Sequence, residues 1–186
     1  LNRYPDPYQT ELKSILATQK RLPTNQIFVG NGSDEVIDLL FRIFCNPSKD
    51  KALTFSPTYG MYDVSAAIND IELIKLPLAD SFDIDLANTK EIFAKEIIKL
   101  TFICSPNNPT GNVIERETIE EILESAEGIV VIDEAYIDFS ETNSCIDLID
   151  TYPNLLVMQT MSKARGLASA RVGFAFSNER VIELLN

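Results

Sequence analysis

The sequence of 186 residues contains no histidine and no tryptophan. Without histidine, the chain cannot build a Ser-His-Asp triad, a histidine-ligated zinc site or an imidazole general base. Its three cysteines, Cys45, Cys104 and Cys145, are far apart and form no C-x-x-C pair. This spacing excludes a cysteine zinc site and argues against a disulfide framework. We therefore expect a protein of the reducing cytoplasm that has no metal site.

The chain also lacks a long apolar run and an excess of positive charge. No stretch approaches the roughly 20 apolar residues that a membrane-spanning helix needs. The 28 acidic and 16 basic side chains give a net charge of −12, which disfavours nucleic acids and anionic membranes as partners. Because the sequence begins with Leu1 and shows no signal peptide, we expect a processed N-terminus or a piece of a longer protein.

Short β-branched apolar runs alternate with helical patterns along the chain. The apolar runs are nearly continuous, which is typical of parallel strands that are covered on both faces. This alternation predicts an α/β fold with a mostly parallel sheet sandwiched by helices. The predicted strands are 27–30, 52–55, 72–76, 100–104, 129–133, 155–159 and 172–176. The predicted helices are 9–20, 33–44, 59–69, 86–95, 116–125, 145–150 and 179–185.

Polar clusters follow four of the predicted strands. They are Gly30–Glu35, Ser105–Gly111, Asp133–Tyr136 and Thr160–Lys163. Ligands of such sheets bind at the carboxyl ends of the strands. We therefore expect the four clusters to converge on one edge of one sheet, and this convergence is the strongest functional signal in the residues themselves.

Two of these clusters suit charged groups of opposite sign. The free N–H groups of a helix that starts near Gly32 would bind an anion, although capping by Ser33 or Asp34 would explain the same residues. Asp133 ends an apolar strand, where a partly desolvated carboxylate needs a metal, a cationic nitrogen or a lysine as its partner. A helix cap or a loop salt bridge would account for Asp133 equally well.

The segment around Lys163 reverses the acidic character of the chain. No Asp or Glu occurs from Thr151 to Asn178, whereas Lys163, Arg165 and Arg171 all do. Such a segment suits a phosphate, and a lysine close to other cations deprotonates more easily and can attack a carbonyl; a buried strand followed by a basic loop is the plain alternative. Pyridoxal phosphate combines a phosphate, a ring nitrogen for a carboxylate and an aldehyde for a lysine, and it is the best single fit, though not a unique one.

Six motifs occur in a family's order across nearly the whole chain. They are Asn2–Pro7, Gly30–Glu35, Ser56–Tyr62, Asn107–Gly111, Asp133–Phe139, and Ser162–Lys163 followed by Arg171–Phe174. In these motifs the sequence resembles the fold-type I, aspartate-aminotransferase-like pyridoxal-phosphate enzymes. The resemblance is strongest to the branch that transfers an amino group reversibly between histidinol phosphate, a phosphorylated amino substrate, and 2-oxoglutarate in histidine biosynthesis.

The resemblance implies that residues 1–186 form the cofactor-binding large domain of a homodimeric enzyme. The N-terminal arm and the C-terminal small domain, which supplies the substrate-binding arginine, are then absent. We accordingly expect this chain to be weakly active or inactive, even where it binds pyridoxal phosphate.

The resemblance also implies roles for individual residues. Lys163 would bind the cofactor covalently and carry the transferred proton, and Asp133 would pair with the ring nitrogen. Tyr136 and Asn108 would bond the ring hydroxyl oxygen, and Tyr59 would stack on the ring. The residues implied around the cofactor phosphate are Gly32, Ser33, Thr160, Ser162 and Arg171, with Asp34 beside them and Tyr4 reaching the phosphate in the partner subunit.

Three other interpretations stay open. Within the same enzyme class, an amino-acid aminotransferase or a threonine-phosphate decarboxylase shares many of the motifs. A receiver-like α/β module also places Asp, Thr and Lys at strand ends, but it needs an acidic cluster after its first strand, where this chain has Gly30-Asn31-Gly32. The third alternative is a non-catalytic fragment that only dimerises.

Overall fold

A computed structural model of the chain describes residues 4–186, so Asn2 and Arg3 of the first motif lie outside the described residues. The strands are β1 (Ile27–Gly30), β2 (Lys51–Ser56), β3 (Glu72–Pro77), β4 (Ile98–Cys104), β5 (Ile129–Asp133), β6 (Leu155–Thr160) and β7 (Gly173–Ser177). The α-helices are α1 (Thr10–Lys20), α2 (Ser33–Phe44), α3 (Met61–Ile68), α4 (Leu86–Lys95), α5 (Arg116–Ser125) and α6 (Glu179–Leu185). None of the helices in residues 4–186 combines the length and the apolar character that a membrane crossing requires.

The seven strands form one mixed sheet in the order β1-β7-β6-β5-β4-β2-β3. The pairs from β6 through β3 are parallel, and β7 is antiparallel to both of its neighbours. The prediction of a mostly parallel sheet is therefore confirmed. The reversal of β7 brings the start of that strand to the edge where the parallel strands end, and Thr160 faces Gly173 there.

Helices cover both faces of the sheet and bury its apolar strands. The buried side chains of α2, α3 and α6 form one core with Leu100, Val131 and Met158 of the sheet. Those of α1 and α5 form a second core with Val130 and Ile132 on the other face, where α4 packs as well. Because successive strand residues point to opposite faces, two neighbouring residues of β5 can serve two separate cores.

The predicted helix at 145–150 is wrong, because this segment forms a 3-10 helix at Cys145–Leu148. The Ser144 hydroxyl accepts a hydrogen bond from the Ile146 N–H and starts the turn. The Cys145 N–H is bonded to the carboxylate of Glu134, and Pro153 follows a few residues later and disfavours helix before it. The segment is thus held by side-chain partners rather than by a helical hydrogen-bond ladder.

Gly173 marks the closest approach between the sheet and α2. A Cβ atom at this position would overlap the backbone of Gly32 and Ser33 at the start of the helix. By contrast, a Cβ atom at Gly60 would meet nothing within 4 Å, and Gly60 has an ordinary right-handed backbone with φ −68°.

We expect Gly173→Ala to destabilise the chain by about 1–3 kcal/mol, because an overpacked site forces its neighbours to shift. Thermal unfolding should show a melting temperature lower by several degrees. Gly60→Ala is the matched control and should leave the melting temperature unchanged or slightly raised. Equal melting temperatures for the two variants would contradict the close contact at Gly173.

Candidate functional site

The sequence clusters meet at the edge of the sheet where β4, β5 and β6 end. Asp133 is the last residue of β5, and the sheet register aligns it with Cys104 on one side and Met158 on the other. β5 is the middle strand of the seven. The site therefore lies at the carboxyl end of the central strand, where ligands of such sheets bind.

Asp133 is a buried carboxylate with only 2% of its surface exposed. Its Oδ2 accepts a hydrogen bond of 2.7 Å from the Tyr62 hydroxyl, and its Oδ1 accepts one of 3.1 Å from the Ala135 N–H. Burial raises the pKa of Asp133 even though both hydrogen bonds, and the charge of Lys163, act to lower it. The geometry thus leaves a desolvated carboxyl group that a cationic partner would stabilise.

Lys163 lies close to the residues that follow β5. Its Nζ is 5.5 Å from the centre of the Tyr136 ring, and its side chain is exposed at the sheet edge. The preceding turn is held by Thr160, whose hydroxyl accepts from the Ser162 N–H at 3.1 Å and donates to the Ser162 hydroxyl at 3.0 Å. The turn therefore fixes the backbone from which the lysine projects.

The lysine turn is also tied to the β5 turn by an ion pair. Arg165 donates two hydrogen bonds to Asp138, of 3.0 and 3.1 Å. A two-point pair of this kind fixes orientation as well as distance. It raises the pKa of Arg165 and lowers that of Asp138, chiefly through these hydrogen bonds.

The start of α2 has the backbone geometry that suits an anion. The residue before the helix is Gly32, with φ 83°, and the helix start has no side-chain cap. The expectation that Ser33 or Asp34 caps this helix is therefore wrong, because both residues already lie within the helix. The N–H groups of the first turn have no capping side chain, and the helix dipole adds to their attraction for an anion.

Arg171 reaches this helix start from the loop before β7. Its backbone is left-handed, with φ 50° and ψ 53°, a conformation that is costly outside glycine. The guanidinium lies against Gly32, where a Cβ atom would overlap it, and Nη2 pairs with Asp34 at 3.2 Å. The strained backbone thus accompanies an arginine side chain that lies across the start of α2.

Asp34 changes the electrostatic picture that the sequence suggests. It accepts a hydrogen bond of 3.1 Å from the Tyr59 hydroxyl on one oxygen and pairs with Arg171 on the other. Together with the Arg165–Asp138 pair, this contact means that two of the three cations in the segment around Lys163 have acidic partners. The segment is therefore less positive around its arginines than its own sequence indicates, because these acidic partners come from distant parts of the chain.

A cleft of about 350 Å³ opens beside Tyr136. It is lined by the Pro106–Pro109 turn, which includes the half-buried Asn108, and by Phe139. The buried Asn107 holds this turn, because its amide donates to the Pro57 carbonyl at 2.9 Å and accepts from the Thr58 hydroxyl at 2.9 Å. Asn108 and Tyr136 thus line the same cleft, and Tyr136 is also the residue whose ring lies near Lys163.

The contacts connect almost every residue that the sequence singles out. One group of residues is joined through contacts among neighbours at this edge: Asp133, Tyr59, Asp34, Arg171, Gly32 and Ser33. A second group lies along the same edge: Lys163, Tyr136, Asn108, Thr160 and Ser162. Tyr4 is fully exposed. Since its implied role concerns a partner subunit, that role stays a prediction.

Sequence reasoning missed two residues that the site depends on. Tyr62 has no assigned role in the sequence, although it stands three residues after Tyr59 in the same motif, and its hydroxyl reaches Asp133. Asn107 appears in the sequence only as a member of a motif, yet its amide holds the turn in place. In both cases the available signal was a polar side chain beside an apolar strand, because such a group needs a hydrogen-bond partner when it is buried.

Comparisons with known proteins give a consistent family. The model of the aminotransferase class I and II family matches residues 1–186. A histidinol-phosphate aminotransferase of Cytophaga hutchinsonii is 50% identical over 186 residues, and one of Bacteroides thetaiotaomicron is 51% identical over 185 residues. Both alignments cover all of this chain and 53% of the relative, so the chain spans about half the length of these curated relatives.

A solved structure shows the same fold at lower identity. The histidinol-phosphate aminotransferase of Sinorhizobium meliloti, in complex with pyridoxal-5'-phosphate, superposes with a TM-score of 0.89 at 25% identity. The superposition covers 97% of this chain and 50% of that one. The α/β architecture described above is therefore an established one.

We expect Asp133→Asn to raise the stability of the ligand-free chain at neutral pH by about 1 kcal/mol, because it removes a desolvated charge. The folded wild type binds the Asp133 proton more tightly than the unfolded chain, since its pKa is raised by burial. The wild type therefore gains stability as the pH falls through that pKa, and its difference from the variant should narrow.

Melting temperatures of the two proteins between pH 8 and pH 5 would test this expectation. Asp80→Asn, at an exposed position, is the matched control and should shift the melting temperature little at any pH. A variant at position 133 that is less stable than the wild type at pH 8 would show that the buried carboxylate is not a cost to the fold.

Proposed function

The chain belongs to the class I and II aminotransferases, and from this premise we propose that it forms the cofactor-binding large domain of a pyridoxal-phosphate-dependent histidinol-phosphate aminotransferase. One observation carries the proposal. A lysine amine, a buried carboxylate and an open helix start with an arginine across it lie along a single sheet edge. These are the three groups that pyridoxal phosphate requires.

The residues at this edge fit the cofactor in shape as well as in charge. Gly32 leaves room for the Arg171 guanidinium at the start of α2, and Gly173 lets β7 approach the same helix start, because a Cβ atom at either glycine would overlap these groups. Asp133 is desolvated and both of its hydrogen-bond partners are donors, so it has acceptor capacity left for a protonated ring nitrogen. Arg171 and the first-turn N–H groups of α2 would hold the phosphate.

When bound, pyridoxal phosphate supplies an electron sink that stabilises negative charge developing at the substrate Cα. Asp133 would keep the ring nitrogen protonated through its negative charge. Tyr136 and Asn108 would orient the ring at its hydroxyl oxygen, and Tyr59 would cover one face of it. The Lys163 amine would hold the cofactor and then accept and return a proton at the substrate Cα, which is general acid–base work suited to a positioned amine.

The assignment of the substrate is supported by the relatives rather than by the site. Both curated relatives described above carry the name of the histidinol-phosphate enzyme, and this supports amino transfer between histidinol phosphate and 2-oxoglutarate in histidine biosynthesis. We likewise propose a homodimer of the cytoplasm, in which Tyr4 reaches the cofactor phosphate of the partner subunit. A threonine-phosphate decarboxylase and an amino-acid aminotransferase are the alternatives that the experiments below separate.

Cofactor capture by Lys163 tests the proposal directly. Mixing the purified chain with pyridoxal phosphate should produce a visible absorption band, and borohydride should lock the cofactor onto the Lys163 peptide in mass spectrometry. Lys163→Ala should abolish both signals, because no amine then remains at the site. Lys49→Ala, at an exposed lysine between α2 and β2, is the matched control and should keep them. A locked cofactor on any other lysine would refute the assignment.

Substrate identity is tested on the cofactor-loaded protein. In keeping with the weak activity expected of this chain, histidinol phosphate should change the absorption band slowly and yield at most one equivalent of the corresponding ketone, whereas threonine phosphate should release no carbon dioxide. The band should respond to histidinol phosphate at concentrations at least about tenfold below those needed for an unphosphorylated amino acid, since a charged phosphate contact is worth more than about 1.4 kcal/mol. Release of carbon dioxide from threonine phosphate would favour the decarboxylase instead.

A further inference from the structure

Tyr62 is a fully buried tyrosine at the second position of α3. Its ring stacks on Phe102 of β4, with ring centres 4.8 Å apart and planes inclined by 19°. The ring of Tyr59 contacts the Tyr62 ring edge-on, with ring centres 5.7 Å apart and planes inclined by 87°. Aromatic contacts on two sides therefore fix where the Tyr62 hydroxyl points.

The Tyr62 hydroxyl points at the carboxylate of Asp133. The O–H···O distance of 2.7 Å to Oδ2 is that of a strong hydrogen bond to a charged acceptor. Burial, with the negative charge of Asp133, raises the pKa of Tyr62 well above its usual value. The phenol therefore stays protonated at physiological pH and acts as a permanent donor.

Packing alone does not explain a hydroxyl group at position 62. Phenylalanine would fill the same space between Phe102 and Tyr59, without the cost of burying a polar group. The hydroxyl instead meets a carboxylate that is itself expensive to bury, and that ends the middle strand of the sheet. Cys104, at the end of the neighbouring strand, is the other polarisable group near this contact.

We propose that Tyr62 is a positioning residue that keeps Asp133 ionised and aimed at the ring nitrogen of pyridoxal phosphate. This inference rests on the proposed function. The tyrosine acts through Asp133 and makes its contribution only when the ligand has a ring nitrogen to pair with. It follows that removing the hydroxyl should weaken the preference for ligands that carry this nitrogen.

The test compares two ligands on the wild type, the Tyr62→Phe variant and a control variant. The ligands are pyridoxal phosphate and its 1-deaza analogue, in which a C–H group replaces the ring nitrogen. Tyr62→Phe should weaken equilibrium binding of pyridoxal phosphate about tenfold, the factor expected for one charge-assisted hydrogen bond. Binding of the deaza analogue should change less than about twofold. Tyr152→Phe, at a half-buried tyrosine remote from the site, should change neither affinity.

A double variant shows whether Tyr62 acts through Asp133. In the Asp133→Asn background the buried charge is gone, so adding Tyr62→Phe should cost less than about twofold in affinity for pyridoxal phosphate. This pair of proteins also keeps the test valid if Tyr62→Phe alone fails to fold, which circular dichroism would reveal. A tenfold cost in the Asp133→Asn background would overturn the proposal, because Tyr62 would then act independently of the Asp133 charge.

The outcomes separate this inference from the proposed function. If the wild type binds pyridoxal phosphate and Tyr62→Phe loses both ligands equally, or neither, the inference fails and the proposed function stands. If the wild type binds no pyridoxal phosphate at all, the proposed function fails and takes the inference with it. A preference for the ring nitrogen that shrinks about tenfold in Tyr62→Phe supports both.

Discussion

The burial of one carboxylate, that of Asp133, is the constraint on which the rest of the site depends. A charge at the end of the middle strand must have donors, and the fold supplies them from two directions. The backbone turn after β5 gives the Ala135 N–H, and α3 gives the Tyr62 hydroxyl. Because α3 has to be placed for that contact, the aromatic packing of Tyr62 on Phe102 belongs to the chemistry of the site as much as to the core.

Because side chains alternate in direction along a strand, the next acidic residue after Asp133 has a different role. Glu134 follows Asp133 directly but points to the opposite face, where its carboxylate accepts hydrogen bonds from Ser144, Cys145 and Gln159 at 2.6 to 2.8 Å. Burial raises its pKa as well. With its oxygens occupied by these donors, Glu134 anchors the 3-10 segment to the sheet. One of two adjacent acids is thus available to a ligand, and the other is committed to the fold.

The parts of this structure that sequence reasoning could reach are those that depend on neighbours in the chain. Apolar runs located all seven strands, and the polar residues at their ends located the site. Contacts between distant residues could not be read in this way. The reversed direction of β7, the Arg171–Asp34 pair and the Arg165–Asp138 pair each join segments that no local pattern connects. Tyr62, by contrast, lies within the Ser56–Tyr62 motif, and only its hydrogen bond to Asp133 could not be predicted from the sequence.

The start of α2 is the counterpart of Asp133 with opposite charge: its positive charge would be stabilised by an anion. The uncapped start of α2 carries a partial positive charge, and Arg171 adds a full one beside it. Asp34 balances the arginine from within the helix, while the Tyr59 hydroxyl holds the other oxygen of Asp34. Because the two oxygens of Asp34 are bonded to Tyr59 and Arg171, Asp34 orients the arginine and does not occupy the N–H groups of the first turn. An incoming phosphate would therefore find its cationic partner already oriented and the helix start still open, and in this way a strongly acidic chain could offer a site to an anion.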